Sequence, residues 1–320
     1  MLQTKAIYNL IRLSIRQDPT IQVEAWAVED LRSLQEEKLW ERLEELEVRV
    51  NHEAFSRYAE ECETPEELAD LLVGEEAEAE YYDQVYLVLF ELWRRLLPDR
   101  SSLSIFCDEL DYQIEQLEVG VEMVSPTAIP QLLWGLRDVL QEHVQTGTDP
   151  SEGFEEVAQY SAHHLEGFLY DFVDQLIELG EREEATRLIA AFIPYLPEPA
   201  WFDLLEARLI YSEDPKEGRK HYSKLLKEEI PLDPLFELSY GLLSLEEKNL
   251  FSEAMKKLLV GLETEDDLEE AIELAVDYFR HQGDELNAQA VQKIRSQRKQ
   301  RAPELAPADP DLASLQKLFQ

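Results

Sequence analysis

The chain has 320 residues, 44% of them apolar, and carries 69 acidic against 30 basic side chains for a formal charge of −39. That apolar content supplies a core and excludes global disorder, while the negative field repels phosphate backbones and anionic lipid, arguing against nucleic-acid and membrane partners. Leu and Glu dominate, Gly and Pro are few and Val/Ile/Thr-rich alternation is nearly missing, so the expected class is all-α.

In chain order, a first amphipathic helix is expected over residues 2–16, with Ile7, Leu10, Ile11 and Ile15 facing inward and Asp18-Pro19 as its stop. Residues 21–50 carry Trp26, Leu31, Leu34, Leu39, Trp40, Leu43 and Leu46 among charges and are read as helix packed inside the domain. Thr64, Pro65 and Glu67 spell a capped helix start, Thr64 as the cap and Glu67 completing a capping box. After an acidic run at 75–80 comes the most apolar helix, Val85 to Leu97, ended by Pro98 and expected at the buried centre of an N-terminal domain. Helices over 103–118 and 129–144 follow, and Gly147 with Asp149-Pro150 marks a boundary.

Beyond residue 150 the sequence is periodic. Gly180 stands at a turn, Ala185 five places on, and Pro197 closes the second helix; equivalent small residues recur at Gly218, Ala254 and Ala288, at steps of 33, 36 and 34. Upstream of each lies a helix with large apolar groups at i, i+3 and i+7: Leu169, Phe172 and Leu176, then Phe202, Leu205 and Leu209, with weaker sets at Leu238, Gly241, Leu245 and at Ile272, Ala275, Phe279. The longer middle step is assigned to a loop insertion at Pro231–Pro234. Over about residues 165–300 this pattern resembles tetratricopeptide repeats, whose period is about 34. It departs from them where each first helix should hold a small residue: those places carry Val173, Glu206, Leu242 and Val276. The resemblance implies a superhelix of helical hairpins whose concave face takes a peptide or helix of a client protein. By it, Phe168, Tyr170, Arg208, Tyr240 and Arg280 are groove residues. Members that grip a terminal carboxylate use basic groove residues, which this acidic chain mostly lacks, so a basic or amphipathic client is expected.

The last repeat helix ends in Lys293, Arg295, Arg298, Lys299 and Arg301, which suits its dipole. An Ala/Pro linker follows, then a short amphipathic segment with Leu312, Leu315, Leu318 and Phe319 on one face. That segment docks on a partner, folds back on its own chain or is a frayed tail, and its four apolar residues complete the set of candidate contacts.

Signatures of chemistry are weak. His163 and His164 are adjacent, hence about 100° apart on a helix, which suits no shared metal. Asp108, Glu109 and Asp111 lack a neighbouring base or nucleophile and are read as a solvated helix face. There is no phosphate loop, no G-x-S-x-G and no CxxC; the cysteines, Cys62 and Cys107, fit a reducing compartment, and no uncharged run reaches membrane-spanning length. The chain is thus expected to comprise an N-terminal all-helical domain (1–147), tetratricopeptide-like repeats forming an α-solenoid (148–301) and a linker with tail (302–320). Its expected role is that of a cytoplasmic, non-catalytic scaffold or adaptor without cofactor or metal. An acidic chaperone for a secreted or assembling client stands second, and an enzyme with a site between the helical domains comes last.

Overall fold

Helix-forming composition and the scarcity of breakers act along the whole chain. The computed structural model describes residues 2–74, 77–120, 128–298, 304–305 and 309–319, and these hold seventeen α-helices and no β-sheet. They form two compact units, Met1–Leu169 with Pro194–Pro197 and Tyr170–Ile193 with Glu198–Gln320.

The first unit contains α1 (Thr4–Gln17), α2 (Glu36–Glu45), α3 (His52–Ala59), α4 (Pro65–Val73), α5 (Ala79–Leu96), α6 (Leu103–Glu118), α7 (Ala128–Gln145) and α8 (Pro150–Ala158). Its centre is α5, where every residue from Val85 to Trp93 is buried, as befits a helix surrounded on all sides. Even Glu91 lies inside, held by Arg94 at 2.6 Å and Arg95 at 2.5 Å. Both cysteines, Cys62 and Cys107, are buried and unpaired within this unit. Thr64 caps α4 by accepting the Glu67 N–H, but the Glu67 carboxylate reaches one residue further than a standard box, to the Glu63 N–H at 2.7 Å. Glu75 and Glu76 of the acidic run, and Lys299 and Arg301 of the basic helix end, lie outside the described residues.

Two expectations are corrected. Residues 21–50 do not form one helix: an extended stretch leads into 3-10 turns at Ala25–Val28 and Leu31–Ser33, and α2 is broken from α3 at Glu47, whose φ is +62°. A side chain sixty residues away in sequence holds the second of these turns. Arg95 of α5 donates to the carbonyls of Leu31, Arg32 and Leu34 at 2.8–3.1 Å, satisfying groups that a helix would have paired internally. In α1 the buried residues are Ala6 and Tyr8, while Ile7 and Leu10 are exposed. Tyr8 packs its ring on Trp26 at 5.5 Å and donates to Asp83, turning that face of α1 to the interior.

The second unit takes in α9 (Leu165–Leu179) from Tyr170 onward, then α10 (Arg182–Phe192), α11 (Ala200–Glu213), α12 (Pro215–Leu225), α13 (Leu232–Ser244), α14 (Lys248–Gly261), α15 (Glu265–His281), α16 (Glu285–Gln297) and α17 (Pro310–Leu318). Consecutive helices pair as hairpins, α11 with α12, α13 with α14 and α15 with α16, and first helices stack on first helices, α11 on α13 on α15. This is a helical-repeat arrangement, in which each hairpin buries its open face against the next. Gly180 and Gly283 turn between helices at positive φ, and the next residue's N–H closes back on Leu176 and Phe279, the bond that completes a Schellman motif. Glu246 adopts the same left-handed conformation without glycine's freedom.

Ala185, Gly218, Ala254 and Ala288 are all buried. Gly218 is the tightest: a Cβ there would stand 2.4 Å from the Tyr211 Cα. The small first-helix residues do exist, displaced in register, since Ala207 is buried one place after Glu206 and Ala275 one place before Val276. Gly241 is not a core position; the core residues of α13 include Leu235, Leu238 and Leu242. Pro234 sits in the first turn of α13 rather than in a loop, where its missing N–H costs nothing.

These glycines give opposite expectations. Gly218→Ala forces α11 and α12 apart and is expected to lower stability by about 1–3 kcal/mol in urea denaturation. Gly241→Ala, whose Cβ meets nothing, is expected to be neutral or to raise stability by up to about 1 kcal/mol.

Candidate functional site

Stacking α11 on α13 beside α9 leaves a concavity of about 230 Å³ within the second unit. Three residues singled out from the sequence meet there: Tyr170 from α9, Arg208 from α11 and Tyr240 from α13. Leu204, Leu205, Leu238 and Leu245 give it an apolar floor. Tyr170 stands edge-on to Trp201 at 5.3 Å and donates to Glu237 Oε1 at 3.3 Å. Arg208 is held by Asp174 and, at 3.1 Å, by Glu178, so its guanidinium is already committed to two carboxylates. Tyr240 is 39% exposed. Burial, with Glu270, Glu273 and Asp277 nearby, pushes its phenol up to about 12. Burial and the carboxylates of Glu237 and Asp174 raise the Tyr170 phenol as well, against the pull of Arg208. Both rings therefore stay neutral hydrogen-bond donors at physiological pH. The cleft offers π faces, an apolar floor and a surplus of negative charge.

The other predicted contacts lie elsewhere. Phe168 is half-buried on the first turns of α9, in the first unit. Arg280 reaches Gln292 on α16 at 3.1 Å and lies near Asp277 at 3.8 Å; it is not among the cleft residues. Leu312, Leu315, Leu318 and Phe319 pack into the core of their own unit, so of the three arrangements weighed for the tail the chain adopts the folded-back one. Sequence reasoning missed Trp201, Glu237 and the role of Gly241, which opens the cleft wall. A lone glycine inside a helix is the signal that was available.

A second cluster lies in the first unit and corrects the reading of Asp108 and Asp111 as a solvated face. They are 3% and 4% exposed. Asp108 binds Lys5 at 3.2 Å, Arg32 at 2.7 Å and the Asn9 amide at 3.0 Å. Asp111 accepts from Ser161 Oγ at 2.5 Å, from the Ala162 N–H at 2.9 Å and from Asn9 at 3.1 Å. Arg32 also pairs with Glu109 and lies 4.2 Å over the Tyr112 ring. Burial opposes the charge on Asp108, but Lys5 and Arg32 overcome it and hold the carboxyl well below its usual range. For Asp111 burial wins over its hydrogen bonds, and its carboxyl is raised. The two carboxylates tie α1, the 3-10 turn at Leu31–Ser33 and the loop at 161–163 to α6.

The neighbouring histidines part company. His163 faces Glu118 at 3.6 Å, and His164 Nδ1 accepts the Gly167 N–H at the start of α9. Among the described residues no three His, Cys, Asp or Glu are placed to share a metal ion, and no helix is long and apolar enough to cross a membrane. Comparisons with family models, curated proteins and solved structures return no match.

Asp108→Asn leaves Lys5 and Arg32 without their buried counter-charge and is expected to cost about 3–5 kcal/mol at pH 7. A carboxyl held low in the folded state stabilises above its ordinary pKa near 4, and the contribution is lost as pH falls through the folded value. Urea denaturation is therefore expected to show wild type losing stability below about pH 4 more steeply than the variant. Asp111, with its raised carboxyl, works in the opposite sense: its ionisation opposes folding as pH rises.

Proposed function

We propose that the chain is a non-catalytic protein-binding module whose α11–α13 cleft receives a segment of another protein bearing apolar side chains and Lys or Arg. The observation that carries this reading is the convergence of Tyr170, Tyr240 and an apolar floor in one cleft, next to carboxylates that outnumber its single arginine. Tyrosines bind with large rigid faces and little lost side-chain freedom, and a basic residue over such a face gains a cation–π contact. Arg208, neutralised by Asp174 and Glu178, is no receptor for a partner's carboxylate, and the negative field steers basic segments inward. On this reading the protein works as a scaffold or adaptor in the cytoplasm, where two unpaired buried thiols are at home.

Gly241 provides a clean test because its missing side chain would point into open space. Gly241→Phe is expected to fill the cleft while leaving circular dichroism and thermal stability unchanged or improved. Full-length wild type and variant serve as baits in native extract at low and high salt. Proteins retained by wild type, released as salt rises and lost with the variant identify cleft partners; capture of the same proteins by both baits places binding elsewhere.

A further inference from the structure

The last helix shows what a bound ligand of this fold looks like. Against α14 and α16, α17 presents one face only. Leu315 is wholly buried, and Phe319, one helical turn later, is 3% exposed. The Phe319 ring lies 6.2, 5.8 and 5.4 Å from those of Phe251, Tyr278 and Phe279. Leu312 and Leu318 flank these anchors, whereas Pro310, Ala313, Ser314 and Lys317 face solvent. Gln316 donates to the Leu259 carbonyl at 3.0 Å and Ser252 to the Phe319 carbonyl at 3.3 Å. Apolar anchors at i, i+3 and i+7 on a short helix are the equipment of helix-in-groove recognition.

Charge completes the match. The buried Arg298 guanidinium binds Asp309 at 2.9 Å and Asp311 at 2.8 Å, at the start of α17. Its remaining face holds Glu265 of α15, at 2.5 and 2.9 Å. Without α17, Arg298 keeps Glu265, so the groove retains no uncompensated buried charge, and the two aspartates pass into water. A nine-residue helix has little stability alone, so α17 folds as it docks.

We infer that the groove of α14, α15 and α16 is a helix-binding site, that α17 is its displaceable intramolecular occupant, and that a partner's amphipathic helix replaces it. That helix carries carboxylates in its first turn for Arg298, and Leu and an aromatic residue four apart for the Phe251–Tyr278–Phe279 pocket. The site is separate from the α11–α13 cleft and does not depend on how that cleft is used.

The probe is a fluorescein-labelled synthetic peptide spanning residues 308–320. Its anisotropy is titrated with full-length wild type and with the full-length double variant Leu315→Asp, Phe319→Asp, which dislodges its own tail. At least tenfold tighter binding to the variant is expected, with loss of binding when the peptide carries Phe319→Ala. Equal binding to both proteins, or none to either, overturns the inference. Should the double variant not fold, a full-length chain with a protease site in place of residues 299–303 is cut after folding. Exchange of the severed tail for labelled peptide, with helicity retained, supports the inference; loss of helicity on cutting, or a tail that does not exchange, overturns it.

Discussion

A helical hairpin has a face that it cannot bury by itself, and the second unit is organised around that deficit. Each hairpin leans on the next, which requires two backbones to approach more closely than ordinary side chains allow. Gly218 against Tyr211 is where that requirement is strictest. The same stacking leaves the cleft between the neighbouring first helices α11 and α13. A stack of this kind also has a last exposed face, and there α17 lies over Phe251, Tyr278 and Phe279. Core, cleft and covered end follow from one geometric demand.

In a chain so rich in carboxylates, basic residues are scarce, and several are spent inside. Arg32 and Lys5 neutralise Asp108, Arg95 caps three carbonyls of an irregular stretch, and Arg298 gathers Glu265, Asp309 and Asp311. Arginine suits this use because its planar fork satisfies several oxygens at once and never loses its proton. Each of these internal cations is matched by carboxylates beside it, three of them at Arg298, so the clusters withdraw negative charge from the surface along with the positive.

What was legible in the sequence were features with a local cause. The apolar run of α5, the Thr64–Pro65 helix start and the recurrence of Ala185, Gly218, Ala254 and Ala288 are each written within one turn or one repeat. The failures share a cause of the opposite kind. The turn at Leu31–Ser33 is held by Arg95, and Asp108 is buried beside Lys5 and Arg32, which come from about a hundred and about eighty positions upstream. Of the groove residues suggested by resemblance, Tyr170, Arg208 and Tyr240 converge, while Arg280 turns to Gln292, since neither its direction nor its partner is set by spacing alone. The face shared by Leu312, Leu315, Leu318 and Phe319 was readable as a face; what covers it depended on Arg298, whose place at a helix end suggested only a favourable dipole contact.

Both cysteines belong to the first unit, shielded from water, and the described residues of the second contain none. Burial pushes the Cys107 thiol up, with Asp111 and Asp108 adding to the effect, so it resists ionisation while the fold is closed. Thiolate is the reactive form, and modification by an alkylating reagent must therefore wait for an opening event. The chain thus contains its own stopwatch for one half of the molecule: labelling rates at Cys62 and Cys107 time the breathing of the first unit and are blind to the repeats.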